Sequence, residues 1–382
     1  MRDLFNWYPP AETYIPLLAF VRAVFPVPDD FELDMKRYLG VDTCVLGISG
    51  RALLSRLLMT LKNKSATRRM QVLIPGYTCY TVAASVARAG LTIACYDLDP
   101  LTFEPDMDSV QAQAGSDTLA IIGQHLFGIP TPMEGLAGVS RRTGAYLIED
   151  AAQGFGGTLR GMQLGSIGDF GLFSFGRGKP LPLGSGGALI GDAGVLDELT
   201  FDQAGSGYPG LAMAAASRFL SCRGIYWLLE KLPLGLGKTV FDPGFLIQSM
   251  PKVIRCLGAC SLKAIDPLNA HRNSIADIYR GSLGDTKTPP APPESRAVFT
   301  RFPFMAGEMP IPKSLYQLGV RRMYPKAFLD EPSIHPYCAP GRTSNPGASR
   351  IAEMLITLPT HMGISSETAR EIAAGIREAY SW

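Results

Sequence analysis

The chain has 382 residues, of which 46% are hydrophobic and 18% charged, and its formal net charge is +2. That length exceeds what one ordinary hydrophobic core serves, so we expect one large domain and one smaller domain. Lysine and arginine are scattered along the chain, which excludes a polyanion-binding surface and predicts no nucleic-acid partner.

Cysteine and histidine usage is typical of a reduced protein without metal. The seven cysteines form no CxxC pair, and the four histidines lie far apart with no HExxH motif. Irregularly spaced thiols in odd number indicate a cytoplasmic protein, and no metal site is predicted. The N-terminus lacks the order of a signal peptide, and no uninterrupted apolar run is long enough to span a membrane.

Strand-like and helix-like segments alternate between residues 41 and 192. Helical patterns are predicted at 49–63, behind a Ser49 N-cap, at 81–90 and at 134–143. Apolar strands are predicted at 43–49, 71–75, 91–97, 118–125, 145–150, 170–175 and 186–191. Strands that are apolar throughout and alternate with helices predict the α/β class, with a mostly parallel central sheet and helices on both faces.

The carboxyl ends of these strands are the expected site of ligand binding, because ligands of such sheets bind at that edge. The residues that follow strands are Ser49, 75–80, His125, Asp150 and Ser174. We therefore expect them to surround one crevice. For His125, a place in the crevice wall and a purely structural role are both open.

The C-terminal third has a different pattern. A helix over 268–283 leads into a proline-rich linker at 286–296, and short strands and helices follow, the last helix capped by Ser365 or Ser366. We therefore divide the chain into a large domain of residues 1–265 and a smaller α+β domain of residues 266–382.

A lysine in an unusual place suggests the chemistry. Lys179 lies in a Gly/Pro-rich turn between two apolar strands, Asp150 ends another strand, and Gly50 opens a helix whose N–H groups could meet a phosphate. A lysine, a carboxylate and a phosphate cradle at one crevice are what pyridoxal 5′-phosphate requires: the amine bonds the cofactor, and the carboxylate keeps its ring nitrogen protonated. Taken singly, each residue also has a structural explanation, as a turn former, a surface lysine or a helix start.

The order of these residues resembles a known family. Residues 147–192 contain "EDAAQ", a glycine-rich stretch ending in "GD", then "FSF", three residues, Lys179 and "GGA". This resembles the DegT/DnrJ/EryC1/StrS aminotransferases, a sugar-aminotransferase branch of the fold-type I enzymes that use pyridoxal 5′-phosphate. Weaker likeness extends over 74–106 and 125–136 and into the C-terminal domain.

The resemblance implies a role for each matching residue. Lys179 would bond the cofactor and shuttle the proton, and Asp150 would pair with its pyridinium nitrogen; these are the predicted catalytic residues. Gln153 would contact the side of the ring that carries the hydroxyl. Ser174 would bind the phosphate together with the amides of Gly50 and Arg51.

Two positions depart from the family's pattern. Where the family stacks an aromatic side chain on the cofactor, this chain has Cys79, and Tyr77 and Tyr80 are candidates to replace it. Where the family places an Asn and an Arg that reach the neighbouring subunit's phosphate, this chain has Ile247 and Ser249. Arg218 and Arg223 are candidates to compensate.

The implied function is an aminotransferase that moves an amino group from an amino acid such as glutamate to a keto sugar, in nucleotide-linked form. Lys179 argues against the related dehydratase branch, which has histidine there. Two alternatives remain open: an enzyme acting on a different, lipophilic carbonyl substrate, and a non-catalytic sensor on the same fold. The resemblance also implies a homodimer.

An apolar segment at about 203–243 is too rich in Leu, Ile, Trp and Tyr for a solvated loop. Apolar stretches of this size cover a partner, a ligand or a membrane surface. We favour burial in the dimer interface. A lid over the substrate and peripheral contact with a bilayer, through Arg218, Arg223 and Lys231, are the alternatives.

Overall fold

The computed structural model describes residues 7–25, 30–66, 68–222, 225–227, 240–284, 287–341 and 344–380. Its strands are β1 (Val45–Gly47), β2 (Gln71–Pro75), β3 (Thr92–Tyr96), β4 (Thr118–Gln124), β5 (Tyr146–Asp150), β6 (Thr158–Leu159), β7 (Met162–Gln163), β8 (Phe170–Ser174), β9 (Gly187–Gly191), β10 (Ser295–Arg296), β11 (Arg301–Met305) and β12 (Leu355–Pro359). Its helices are α1 (Leu17–Val24), α2 (Phe31–Leu39), α3 (Gly50–Lys64), α4 (Tyr80–Arg88), α5 (Met107–Gln113), α6 (Glu134–Thr143), α7 (Ala193–Leu196), α8 (Tyr208–Leu220), α9 (Lys252–Ser261), α10 (Ile265–Leu283), α11 (Lys313–Gln317), α12 (Pro346–Met354) and α13 (Ser366–Ala379).

Within the described residues, the largest layer is a seven-stranded sheet of order β1-β9-β8-β5-β4-β2-β3. Strands β8, β5, β4, β2 and β3 pair in parallel, and β9 runs antiparallel to both of its neighbours. The predicted α/β class and mostly parallel sheet are confirmed. Because the five parallel strands end on the same edge, that edge gathers the residues that follow them.

Helices cover both faces of this sheet, as the apolar strands require. Successive strand residues alternate between the faces: Val72 and Ile74 pack with α3 and α4, whereas Leu73 packs with α6. Helix α3 begins where its sequence predicts, because the Ser49 side chain accepts a hydrogen bond from the N–H of Ala52 at 3.3 Å. A bridge between Ser49 and Gly186, next to β9, holds this N-terminus at the carboxyl edge of the sheet.

A second core lies among the C-terminal residues. Strands β11 and β12 pair antiparallel, and α10 and α13 pack with them around Phe302, Phe304 and Ile356. Tyr8 from the N-terminus joins this core and donates its N–H to the carbonyl of Gln317 at 2.8 Å. The domain boundary at 265/266 stays a prediction.

The N-terminal residues also brace the turn that carries Lys179. The N–H of Gly178 donates to the carbonyl of Glu12 at 3.2 Å. The guanidinium of Arg272, itself fully buried, donates to the carbonyl of Pro180 at 3.1 Å and lies 3.5 Å from the Glu12 carboxylate. Burial raises the pKa of Glu12, but the charges of Arg272 and His361 and the N–H groups of Tyr14 and Met362 together outweigh burial, and the pKa lies below its usual range. The lysine therefore sits on a turn held from both sides.

Parts of the apolar segment 203–243 are described, and they form one surface with α1. Helices α1 and α8 are in contact, and the Arg218 guanidinium lies 5.1 Å above the Tyr14 ring. Residues 223–224 and 228–239, including Arg223 and Lys231, lie outside the described residues. Among the helices that the structure describes, none has both the length and the apolarity that crossing a bilayer demands.

Candidate active site

A cavity of about 220 Å³ opens at the carboxyl edge of β2, β4, β5 and β8. The strand-end residues are brought together there: Ser49, Thr78, His125, Asp150 and Ser174 all line it. Seven of the predicted cofactor-binding residues line it as well, namely Gly50, Arg51, Cys79, Asp150, Gln153, Ser174 and Lys179. Tyr77 and Tyr80 do not.

One end of the cavity is a cradle built by the N-terminus of α3. Gly50 and Arg51 are the first two residues of α3, so their N–H groups have no acceptor within the helix, and both residues line the cavity. A Cβ placed on Gly50 would lie 3.2 Å from the Cβ of Ser174, and one on Gly187 would lie 2.7 Å from the Gly50 nitrogen. Only glycine lets the helix end approach β8 and β9 this closely, which suits a bound anion.

Lys179 and Asp150 share this cavity. The Asp150 carboxylate accepts a hydrogen bond from the N–H of Ala152 at 3.0 Å, and the positive charge of Lys179 acts on it. Burial raises the pKa of Asp150, and Lys179 and the Ala152 N–H only partly oppose that rise. In the protein without cofactor, neighbouring positive charge thus does not fully offset the burial of the Asp150 carboxylate.

The Gln153 side chain is held rigidly in the cavity wall. Its Oε1 accepts from the N–H of Phe127 at 3.0 Å and from the Thr300 hydroxyl at 3.4 Å. Its Nε2 donates to the hydroxyl of Tyr324 at 3.2 Å. Gln153 therefore joins the cavity to residues of the C-terminal third.

His125 lines the cavity and is also fully engaged in structure. Its Nδ1 accepts from the N–H of Thr131 at 3.0 Å, so its Nε2 carries the proton and donates to Glu149 at 2.7 Å. Burial raises the pKa of Glu149, but hydrogen bonds from His125 and from the N–H groups of Gly165 and Ile167 hold the pKa below its usual range. Both ring nitrogens are thus engaged within the protein, and the imidazole forms part of the cavity wall.

The three candidates for stacking on a cofactor ring lie in different places. The Tyr77 hydroxyl donates to the carbonyl of Met323, and the Tyr80 hydroxyl donates to the carbonyl of Lys326 at 3.1 Å. Both rings are buried in the protein core, whereas Cys79 lines the cavity. The stacking residue stays a prediction, and the geometry favours Cys79.

The positions that replace the family's Asn and Arg also have local roles. Ile247 is buried with Ala52, Ala84 and Phe245 under the start of α3, and the N–H of Ser249 donates to the carbonyl of Asp202 at 3.1 Å. The Arg51 guanidinium lies 4.9 Å above the Phe245 ring. Arg218 lies against Tyr14, so its proposed compensation stays a prediction, and Arg223 is not described.

Several lining residues escaped sequence reasoning. They are Leu54, Thr81, Val82, Ser85, Gln124, Leu126, Ala152 and Leu172. Most lie one helical turn, or one or two strand residues, from a predicted site residue. That spacing could have identified them. Tyr324 and Thr300, which reach Gln153 from distant parts of the chain, had no local signal.

Comparison with known proteins decides the family. The model of the DegT/DnrJ/EryC1/StrS aminotransferase family matches residues 22–377. The chain belongs to this family. The resemblance read from residues 147–192 is thereby confirmed.

Relatives and solved structures agree with this membership. An L-glutamine:2-deoxy-scyllo-inosose aminotransferase of Streptoalloteichus tenebrarius is 33% identical over 166 residues, covering 44% of this chain and 38% of the relative. A GDP-perosamine synthase of Escherichia coli O157:H7 is 23% identical over 316 residues, covering 81% of this chain and 79% of the relative. The chain thus spans well under two thirds of the length of the first of these relatives.

Solved structures establish the fold. A DegT/DnrJ/EryC1/StrS aminotransferase from Brucella abortus superposes with a TM-score of 0.72 at 23% identity, over 96% of this chain and 95% of that one. PseC of Helicobacter pylori superposes with a TM-score of 0.74 at 15% identity, over 98% and 99%. The fold-type I architecture expected from the resemblance is confirmed.

The residues present fit pyridoxal 5′-phosphate, the cofactor of this family. The glycine-lined cradle at Gly50 suits a phosphate, Lys179 offers an amine, and the underpaired Asp150 carboxylate suits a protonated ring nitrogen. Gln153, Ser174 and the amide of Arg51 complete the set of residues that would hold it.

Proposed function

We propose that this protein is a pyridoxal 5′-phosphate-dependent aminotransferase that moves an amino group from an amino acid, in the first instance glutamate, to the ketone of a nucleotide-linked sugar. The observation that carries the proposal is the placement of Lys179 and Asp150 in one cavity beside the α3 cradle. A sensor without catalysis would not need the lysine, the carboxylate and the cradle together.

The chain's own residues supply binding and proton transfer. When bound, the cofactor provides an aldehyde that exchanges amines and a ring that takes up electrons. Lys179 would hold the cofactor through its Nζ, and the same atom would carry the proton that leaves the donor's α-carbon. Asp150 favours a proton on the ring nitrogen, and His125 and Leu172 form walls that limit water.

The acceptor class follows from the relatives. Their names include a deoxy-inosose acceptor, a GDP-linked amino sugar and a UDP-linked 3-dehydro sugar. We infer that the acceptor of this protein belongs to the same class, the polyhydroxylated ring ketones. The lipophilic alternative has less support, since the described residues of 203–243 lie outside the cavity lining.

The test uses the protein loaded with cofactor. We expect the absorbance of the lysine-bound cofactor to shift on addition of glutamate or glutamine, and to recover when a nucleotide-linked keto sugar is added. Mass spectrometry should then detect an amine in place of the sugar ketone. If no amino donor shifts the absorbance, the protein is not an aminotransferase. If a donor shifts the absorbance but only apolar ketones are aminated, the lipophilic alternative is supported.

We further propose that the protein is a homodimer whose interface includes the surface formed by α1 and α8. This surface exposes large apolar side chains: Leu17, Leu18, Val21, Val24, Phe25, Met213 and Phe219. Exposed apolar side chains clustered on two helices in contact indicate an interaction site. The alternative, peripheral contact with a bilayer, uses the same side chains.

Replacing Leu18 and Phe219 with glutamate should therefore separate the subunits. Leu18 is 61% exposed and Phe219 is 55% exposed, so the double variant should fold and lose only intermolecular burial. We expect light scattering to give a dimer for the wild type and a monomer for L18E/F219E. Leu101→Glu is the matched control, since Leu101 is 60% exposed outside this surface.

A variant that stays dimeric would contradict this interface. The bilayer alternative predicts instead that the wild type co-sediments with anionic liposomes and that L18E/F219E does not.

A further inference from the structure

Arg51, the second residue of α3, brings a positive charge to the cradle at the start of that helix. The residue lines the cavity, and its guanidinium lies 4.9 Å above the Phe245 ring. Because a cation is attracted to the face of an aromatic ring, Phe245 restrains this long side chain. The cavity of about 220 Å³ that Arg51 lines has room for an anion.

The ring that restrains this guanidinium belongs to a segment that packs on its own chain. The N–H of Ile48 donates to the carbonyl of Gln248 at 2.9 Å, which holds the segment beside β1. Phe245 and Ile247, two residues apart, are buried with Ala52 of α3. The segment in which this chain lacks the family's Asn and Arg thus packs, within one subunit, against the helix that carries the arginine.

The carboxylate of the cavity is engaged elsewhere. Among the described residues, Asp150 is the one carboxylate that lines the cavity, and Lys179 is the lysine or arginine whose charge acts on it. The cradle consists of N–H groups and the Ser174 hydroxyl, which are all neutral. A guanidinium at a place where N–H groups converge favours an anionic ligand.

The charge of a phosphate in the cradle requires such a cation. A phosphate monoester carries about 1.5 to 2 negative charges at neutral pH. The N-terminus of α3 supplies the equivalent of only about half a positive charge. Where the family has an arginine that reaches the neighbouring subunit's phosphate, this chain has Ser249. Most of the phosphate charge is therefore left for another cation to balance.

We propose that the Arg51 guanidinium binds the phosphate of pyridoxal 5′-phosphate within its own subunit, an inference that rests on the cofactor of the proposed function. A guanidinium matches two phosphate oxygens in parallel hydrogen bonds. It takes over the role that an arginine of the neighbouring subunit has in the family's pattern. Arg218, a candidate from the sequence, lies against Tyr14 and does not line the cavity.

A diphosphate of a nucleotide-linked acceptor has the same chemistry and is the other source of phosphate. The N–H group of Arg51 itself belongs to the cradle, so its guanidinium is tethered beside the end of the cavity that suits the cofactor. The cofactor is therefore the source that the geometry favours, and binding measurements without acceptor separate the two.

The test compares binding of pyridoxal 5′-phosphate with binding of pyridoxal, which bonds the same lysine but lacks the phosphate. Cofactor-free wild type, Arg51→Met and Arg51→Lys are each titrated with both compounds, followed by absorbance. We expect R51M to weaken binding of pyridoxal 5′-phosphate roughly 30-fold, as loss of a charged hydrogen-bond donor does, and to leave pyridoxal binding unchanged. R51K keeps the charge without the parallel bonds and should recover part of the loss.

Arg88→Met is the matched control, because Arg88 is exposed in the last turn of α4 and does not line the cavity. It should bind both compounds as wild type does. Inorganic phosphate adds a readout without cofactor. Phosphate in place of chloride should raise the melting temperature of cofactor-free wild type and R88M, and should raise that of R51M less.

Four results would overturn the proposal. R51M could bind pyridoxal 5′-phosphate as wild type does, or could lose affinity for both compounds equally, which indicates damage to the cavity. Its melting temperature could rise with phosphate as much as that of wild type. Arg223→Met could weaken binding of pyridoxal 5′-phosphate while R51M does not, which assigns the phosphate to Arg223.

The nucleotide and the proposed function are tested separately. A higher KM of R51M for the nucleotide-linked keto sugar, with unchanged affinity for pyridoxal 5′-phosphate, assigns the guanidinium to the nucleotide and overturns the proposal. The binding measurements need no amino donor. If wild type reacts with no donor, the proposed function fails, whereas a phosphate-specific loss of affinity in R51M still supports the role of Arg51.

Discussion

Lys179→Ala should abolish transamination, with a loss of at least about 10⁴-fold, because one side chain both bonds the cofactor and carries the proton. Among the described residues, Lys179 is the one lysine that lines the cavity, so none of their other amines is placed to replace it. The absorbance band of the lysine-bound cofactor should also disappear. Steady-state rates and a spectrum of the purified variant check both results.

A control for this variant is Lys326→Ala, since the Lys326 side chain is 50% exposed, pairs with Glu331 at 3.5 Å and does not line the cavity. It should keep the wild-type spectrum and rate. Turnover in K179A within tenfold of wild type would show that Lys179 is not catalytic and that the turn has a purely structural role.

Asp150→Asn should lower the rate by roughly 10³-fold, because a neutral amide cannot balance a protonated ring nitrogen and preorganised charge is a large catalytic term. Cofactor should still bind, since the cradle at Gly50 and Ser174 is unchanged. The rate of the donor half-reaction and the cofactor content, measured on the same sample, separate these two effects. A wild-type rate in D150N would make Asp150 a structural residue.

The same variant has a pH signature in cofactor-free protein. Burial raises the pKa of Asp150 above its unfolded value, so its contribution to stability is present at low pH and is lost as the pH rises through the folded pKa. D150N has no such loss. Its free energy of unfolding relative to wild type should therefore increase with pH, and equal values across the range would contradict the raised pKa.

Most of the scaffold could be predicted from local patterns. The strand at 71–75 and the helix at 134–143 have the predicted bounds, and Ser49 caps α3 as expected. These features depend on periodicity and capping within one short stretch, where the physical signal is contained in neighbouring residues. Most boundaries that moved, such as β3 beginning at Thr92, moved by a residue or two, whereas α10 begins at Ile265, three residues before the predicted start at 268.

The gathering of Asp150, Ser174 and Gly50 could be predicted for a different reason. Parallel strands end on one edge, so residues that follow them are neighbours whatever their separation in sequence. This topological rule places residues near a cavity but does not orient their side chains. Tyr77 and Cys79 follow the same strand, yet only Cys79 lines the cavity.

The sequence by itself determined the α/β layers, the capped helix at the cavity and the family motif around Lys179, because each depends only on adjacent residues or on the order of the strands. Only the tertiary structure decided which partners complete them. Glu12 meets Arg272 across 260 positions of the chain, and Gln153 meets Tyr324 across 171. Burial and pairing of charges depend on every element that packs around a group, and no stretch of sequence contains that information.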